Sequence, residues 1–209
     1  ALDLSELSVA GADRVEVVRG SHSTLYGSSA IGGVVNVFTE KSGTRGFNST
    51  VEFRTGTFGN GTSTFSENVH LNYTHPSGLY VNTGIDNSNV KGLDATVDTV
   101  TNPNVFKHRD KDGFDKRAVI GKIGFKDERF DVYASYKNTY QKTDLDKSAY
   151  MDDNNYTLDF RRNLFTYGAS SKVNDDWVVK FLGGYSDMKR VSVNDSSAVD
   201  KLGNTDHTY

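Results

Sequence analysis

Residues 64–86 read Thr-Phe-Ser-Glu-Asn-Val-His-Leu-Asn-Tyr-Thr-His-Pro-Ser-Gly-Leu-Tyr-Val-Asn-Thr-Gly-Ile-Asp, and their spacing decides the fold. Phe65, Val69, Leu71 and Tyr73 alternate with Thr64, Ser66, Asn68, His70 and Asn72. After the turn His75-Pro76-Ser77-Gly78, the residues Leu79, Val81 and Ile85 alternate with Tyr80, Asn82 and Asp86. Side chains of a β-strand point to opposite faces in turn, so a period of two means a strand with one apolar and one polar face. Two such runs joined by a Pro-Ser-Gly turn predict an antiparallel hairpin.

The same texture extends in both directions. Phe47, Val51 and Phe53 alternate with Asn48, Thr50, Glu52 and Arg54; then come Val119, Ile123 and Phe125, followed by Val132, Ala134 and Tyr136. A last run holds Trp177, Val179, Phe181 and Tyr185. Residues 156–172 are also strand-like, but the pattern changes phase near Arg161 and Arg162, which predicts a β-bulge there. Short turns at 75–78, 126–129 and 174–176 alternate with long connections at about 88–113, 142–155 and beyond about 190. Short turns on one side, long loops on the other and strands of nine to eleven residues or more are the pattern of an outer-membrane barrel. Phe47, Tyr73, Phe125, Phe130 and Trp177 gather on the short-turn side, as an interfacial aromatic girdle does. A soluble β-sandwich also alternates, but its loops need not be long on one side only.

Composition agrees. Of 27 acids in 209 residues only six are Glu, at 6, 16, 40, 52, 67 and 128, and the rest are Asp, which favours turns over helices. No apolar run is long enough for a membrane helix, which leaves a barrel open because its strands average out polar. A net charge of −3 offers no footprint for nucleic acid, and the absence of Cys excludes disulfides, thiolate metal sites and Cys nucleophiles. The first ten residues lack the basic start and apolar core of a signal peptide. Five scattered His form no metal or catalytic pair, and neither a Gly-x-Ser-x-Gly elbow nor a phosphate loop is present, so no enzyme activity is expected.

The first 43 residues differ from the rest. Arg14-Val-Glu-Val-Val-Arg-Gly20 and Gly33-Val-Val-Asn-Val-Phe-Thr39 are short strands joined by a Gly- and Ser-rich excursion, and residues 40–46 form a linker. Gly20, Gly27, Gly32 and Gly33 suit backbone turns that a Cβ obstructs. Arg14, Glu16 and Arg19 are charges that need partners if the unit is enclosed, as contacts between a plug and a polar barrel wall supply.

The string Asp13 to Gly20, then Leu25-Tyr26-Gly27-Ser28, then Ala30-Ile-Gly-Gly-Val-Val-Asn-Val37, resembles the end of the plug domain of TonB-dependent outer-membrane transporters, with Ser21 where many members carry Pro. The resemblance implies an all-β chain: the C-terminal part of a plug domain over 1–43, then over 44–209 the first strands, about seven, of a large antiparallel transmembrane β-barrel. Such barrels close with about 22 strands around a plugged lumen. The chain is therefore expected to be part of a longer protein, with the cut inside a loop, its plug apex upstream of Ala1, and the segment that engages TonB absent.

Within that family, the loops are most similar to the vitamin B12 (cobalamin) branch. By that resemblance Asp94, Asp110, Asp112, Asp146 and Asp159, with His108 at a position where Gln is usual, would bind Ca²⁺; Leu145 stands where Tyr is usual. Hard oxygen donors on Asp-rich loops suit calcium. The implied function is energy-coupled transport of a large scarce nutrient, cobalamin, across the outer membrane of a Gram-negative bacterium, with TonB and outer-membrane lipid as partners. A ferric siderophore or haem is the alternative cargo. An adhesin or structural barrel without cargo is the alternative of another class, against which the plug motif speaks.

Overall fold

The computed structural model describes residues 12–21, 24, 30–39, 45–59, 61–93, 111–146, 156–194 and 204–208. Two separate sheets account for most of them. The first pairs β1 (Ala12–Arg19) with β2 (Gly33–Thr39) antiparallel, Val15 opposite Val37 and Arg19 opposite Gly33. Gly33 has φ of +148°, and a Cβ there would sit 2.6 Å from the Val18 carbonyl oxygen, so the pairing of these strands requires glycine at this position.

The second sheet is an antiparallel meander. Its strands are β3 (Gly46–Gly56), β4 (Ser63–Thr74), β5 (Leu79–Leu93), β6 (Asp112–Lys126), β7 (Phe130–Asp144), β8 (Tyr156–Lys172), β9 (Val178–Asn194) and β10 (Asn204–Thr208). Each pairs with its neighbour in the chain, leaving β3 and β10 at the edges. The seven expected strands are β3 to β9. The eighth, β10, falls where the sequence shows no alternation; it pairs with the last residues of β9, Asn204 opposite Asn194, and takes its conformation from that ladder rather than from a hydrophobic pattern.

Register carries the alternation across the sheet. Phe47, Tyr73, Val81, Ile123, Ala134 and Tyr167 follow one another from β3 to β8 as direct cross-strand partners. Leu79, Phe125, Val132, Ala169 and Phe181 form the adjacent row from β5 to β9. These rows lie on an exposed apolar face, with Phe47 and Phe53 each 66% exposed and Phe181 62%. The buried residues Asn72, Thr74, Tyr80, Ala118, Ile120, Lys122, Ser135, Thr139, Gln141 and Phe160 all lie on the opposite face. A polar face more crowded than the apolar one is the inside of a sheet curling toward a barrel, with the apolar face left for lipid. The girdle residues Phe47, Tyr73, Phe130 and Trp177 are exposed at the short-turn ends of their strands.

No bulge interrupts β8. Its pairing with β7 and β9 runs without a shift from Lys172 to Tyr156, through Arg161 opposite Tyr140 and Arg162 opposite Thr139. The phase change has another cause. Phe165 and Tyr167 face outward with the apolar rows, and Asn163, Arg161 and Asp159 continue on that same face. The strand outruns the apolar band, so its outward side turns polar while its geometry stays regular.

Alternation on β3 gives a direct test in the membrane-embedded protein. Single cysteines carrying a fluorophore at 47, 51 and 53 will be quenched from the lipid phase, and those at 48, 52 and 54 from water. Lipid quenching strongest at 52 and 54 would reverse the faces, since a slip of one residue exchanges them.

Candidate functional site

The inner face of the meander is a hydrogen-bonded polar wall. Asp86 on β5 receives His70 Nε2 of β4 at 2.9 Å, both side chains 22% exposed. Toward the long-loop end, Ser66 and Ser88 hydroxyls meet at 3.1 Å. On the edge strand Glu52 holds Arg54 at 2.8 Å and accepts from Asn68 Nδ2 at 3.2 Å. Ser135 and Thr166 hydroxyls pair at 2.6 Å, and Arg162 Nε donates to Ser186 Oγ at 3.2 Å. Hairpin turns fix the register that brings the cross-strand partners, 16 to 31 residues apart, onto the same rung or adjacent rungs of the inner face.

Toward the short turns the wall becomes aromatic. Tyr80 is fully buried over Gly124, and the Tyr133 ring lies 2.6 Å from where a Cβ of Gly168 would stand. Lys122, 5% exposed, sets its ammonium 4.6 Å from the Tyr133 ring centre and 6.0 Å from that of Tyr80. Cation–π contact in a desolvated place compensates part of the burial of that charge. Glycine opposite tyrosine is what lets each ring lie flat on the neighbouring strand.

In the plug-like sheet, Arg14 Nε donates to Glu16 Oε1 at 2.7 Å, and its guanidinium lies 3.8 Å from the Phe38 ring centre. Arg14 and Glu16 thus partner each other within the sheet, both about half exposed. Arg19 is exposed at the end of β1, opposite Gly33. Gly20, with φ of +99°, donates its N–H to the Gly32 carbonyl at 3.4 Å, while Gly27 lies outside the described residues.

The expected calcium residues are divided. Asp94, His108 and Asp110 lie outside the described residues. Asp112, 8% exposed, opens β6, and Asp146 follows the end of β7; between them Asp144 Oδ2 accepts the Gly113 N–H at 2.9 Å. Asp159 stands apart, on the outward face of β8, where the Tyr140 hydroxyl donates to it at 3.1 Å. Among the described residues no three His, Cys, Asp or Glu form a group able to hold a metal.

His70–Asp86 and the Tyr80–Lys122–Tyr133 cluster do not stand out as sites in the sequence. Alternation marks their members as polar-face residues, but only register shows which of them meet. His70 is engaged by Asp86, and Ser66 and Ser88 by each other, while the Ser77 hydroxyl meets His75 Nδ1 at 2.8 Å within the exposed turn between β4 and β5.

A family model described as TonB-dependent Receptor Plug Domain matches residues 1–34. The vitamin B12 transporter BtuB of Photobacterium profundum is 51% identical over 37 residues, which are 18% of this chain and 6% of that protein. BtuB of Vibrio cholerae serotype O1 (strain M66-2) is 48% identical over 40 residues, 19% of this chain and 6% of its own length. The matched stretch therefore spans well under a tenth of these relatives. With a plug-domain match over its first residues and an antiparallel meander of apolar outer and polar inner face after them, the chain is similar to the TonB-dependent receptors where plug gives way to barrel.

Proposed function

We propose that the protein to which this chain belongs imports a large, scarce nutrient across the outer membrane, driven by TonB, and that the nutrient is cobalamin. The observation that carries the reading is the plug-domain match ahead of a meander whose inner wall is polar and whose outer face is apolar. A passive barrel has no need of a plug. Support for cobalamin over other cargo is the likeness of a stretch of 37 residues, 51% identical, to a protein named a vitamin B12 transporter.

Calcium is the proposed cofactor of the loops. Asp94, Asp110, Asp112 and Asp146 offer the hard oxygen ligands that Ca²⁺ prefers, and Asp159 is the weakest of the five because Tyr140 already engages it. Carboxylates held close together repel, and a cation that neutralises them orders the loops before cargo arrives, lowering the ordering cost of binding.

The test is titration of cyanocobalamin against the complete receptor, with calcium and then with chelator. Affinity will fall about tenfold or more in chelator, the equivalent of about 1.4 kcal/mol of lost pre-organisation. The Asp110→Ala, Asp112→Ala double variant will behave in calcium as the wild type does in chelator. Equal affinity in both conditions would remove calcium from the reading. Binding of a ferric siderophore or haem in place of cobalamin would overturn the cargo while leaving transport intact.

A further inference from the structure

The turn between β4 and β5 is closed in part by an imidazole. Its backbone bonds are those of a tight hairpin: the Gly78 N–H donates to the His75 carbonyl at 3.0 Å, and the His75 N–H to that of Leu79 at 2.8 Å. The His75 side chain adds a third. The Ser77 N–H donates to His75 Nδ1 at 3.2 Å, with the Ser77 hydroxyl 2.8 Å from the same nitrogen. Pro76 between them has no N–H, so the first amide after the ring is that of Ser77.

A backbone N–H can only donate, and the bond to it therefore needs a lone pair on Nδ1. The capped turn holds the neutral ring with its proton on Nε2. A second proton would sit on Nδ1, facing the Ser77 N–H and leaving that amide without its acceptor. Histidine is the side chain that makes this change between about pH 5 and 8. The closed turn binds one proton fewer than the open one, so closure is favoured as pH rises.

The surroundings offer the charged ring another place. His75 lines a cavity of about 400 Å³ with Arg45, ahead of β3, with Lys126 at the end of β6, and with Asp127 and Glu128 of the turn that follows. Tyr73, on β4, has its ring centre 6.4 Å from that of the imidazole. Arg45 and Lys126 balance Asp127 and Glu128 while the imidazole is neutral, and its protonation makes the cavity positive by one. Asp127 is committed to its own turn, where Oδ1 accepts the Arg129 N–H at 2.8 Å and the Phe130 N–H at 2.6 Å. Glu128 is exposed in the same cavity and is the carboxylate left to receive the ring.

We propose that His75 is a pH-sensitive cap: neutral, it closes the β4–β5 turn on the Ser77 N–H, and in acid it leaves the turn for Glu128. The hairpin then loosens at its tip only. The ladder of β4 and β5 stays intact, and the bond from the Lys126 N–H to the Gly78 carbonyl at 2.9 Å keeps the turn beside β6. The switch depends on neither the cargo nor the calcium of the loops, whose acids lie at the other end of the strands.

Nuclear magnetic resonance of the complete receptor in detergent micelles, labelled at the nitrogens of serine and histidine, observes both partners. At about pH 8 the His75 ring will carry its proton on Nε2 and none on Nδ1. As the ring titrates, the Ser77 amide will lose its hydrogen-bonded shift with the same midpoint, the capped turn becoming about three- to tenfold less populated in acid. His75→Asn supplies a side-chain oxygen that caps such a turn without titrating, and will hold the Ser77 amide at its alkaline position throughout. His75→Ala will hold it at the acid position throughout. Ser77→Ala keeps the backbone N–H and will keep the titration, which shows that the amide and not the hydroxyl is sensed. Glu128→Gln will move the midpoint to lower pH, and an unchanged midpoint there overturns the transfer of the ring to Glu128. A Ser77 amide indifferent to pH in wild type, an equal shift in His75→Asn, or a ring protonated on Nδ1 in alkali each overturns the cap.

Discussion

One methyl group at Gly124 will destabilise the barrel wall more than the same methyl three residues earlier. A Cβ at Gly124 would stand against the Tyr80 ring and 2.6 Å from the Val132 carbonyl oxygen. The ring is fully buried and the oxygen belongs to the backbone of the next strand, so neither yields without parting β6 from β7 or ejecting Tyr80. Overpacking of this kind costs about 1–3 kcal/mol, and more where backbone must shift. At Gly121, on the same strand but the outward face, a Cβ meets nothing within 4 Å. Gly121→Ala will be neutral or stabilise by about 0.4–1 kcal/mol through the unfolded chain. Urea unfolding of the complete receptor refolded into vesicles, followed by heat-modifiable mobility, compares the two. Equal midpoints for Gly124→Ala and Gly121→Ala would show that the Tyr80–Gly124 contact is not part of the wall.

Ile123→Arg is expected to be the most damaging exposed substitution in the meander. Ile123 is 54% exposed, between Val81 and Ala134 in the middle of the apolar rows. A charged side chain on the lipid face of a barrel costs up to about 2–4 kcal/mol, the full amount at mid-bilayer and less toward the girdle. That corresponds to a loss of roughly 30- to 1000-fold in the folding equilibrium. The residue beside it is already a cation, since Lys122 faces the other way and rests on Tyr133. Loss of refolding yield for Ile123→Arg with retention for Ile123→Val is the expected result. If Ile123→Arg refolds as wild type does, the exposed apolar face is not the lipid face.

Much of this architecture is legible in the residues alone. Alternation around Val69 and Val81, with the turn at His75–Gly78, predicts the hairpin of β4 and β5, and Tyr73 is indeed opposite Val81. Residues 13–37 are enough to point to a plug, and β1 and β2 pair across that stretch. Convergence is what stays hidden. Tyr80, Gly124 and Tyr133 come from three strands over more than fifty residues, and no local pattern says that a glycine waits opposite each ring. Arg161 and Arg162 mislead for a related reason. A phase change reads as a change of backbone, whereas polarity also changes when a regular strand leaves one medium for another. The loop acids beyond Leu93 carry no periodic signal at all, so their grouping rests on resemblance.

Strand order from β3 to β10 follows the chain without a crossover. Every pairing in the meander is therefore local, closed by one hairpin at a time, and the loop-closure entropy of each step stays small because it grows only with the logarithm of loop length. Low contact order of this kind favours fast zippering from any hairpin that forms first. At every stage the unsatisfied backbone groups are those of two edges only, however many strands have been added. An insertion machine serving such a chain need only shield the newest edge in turn, and the strand it releases becomes the template for the next.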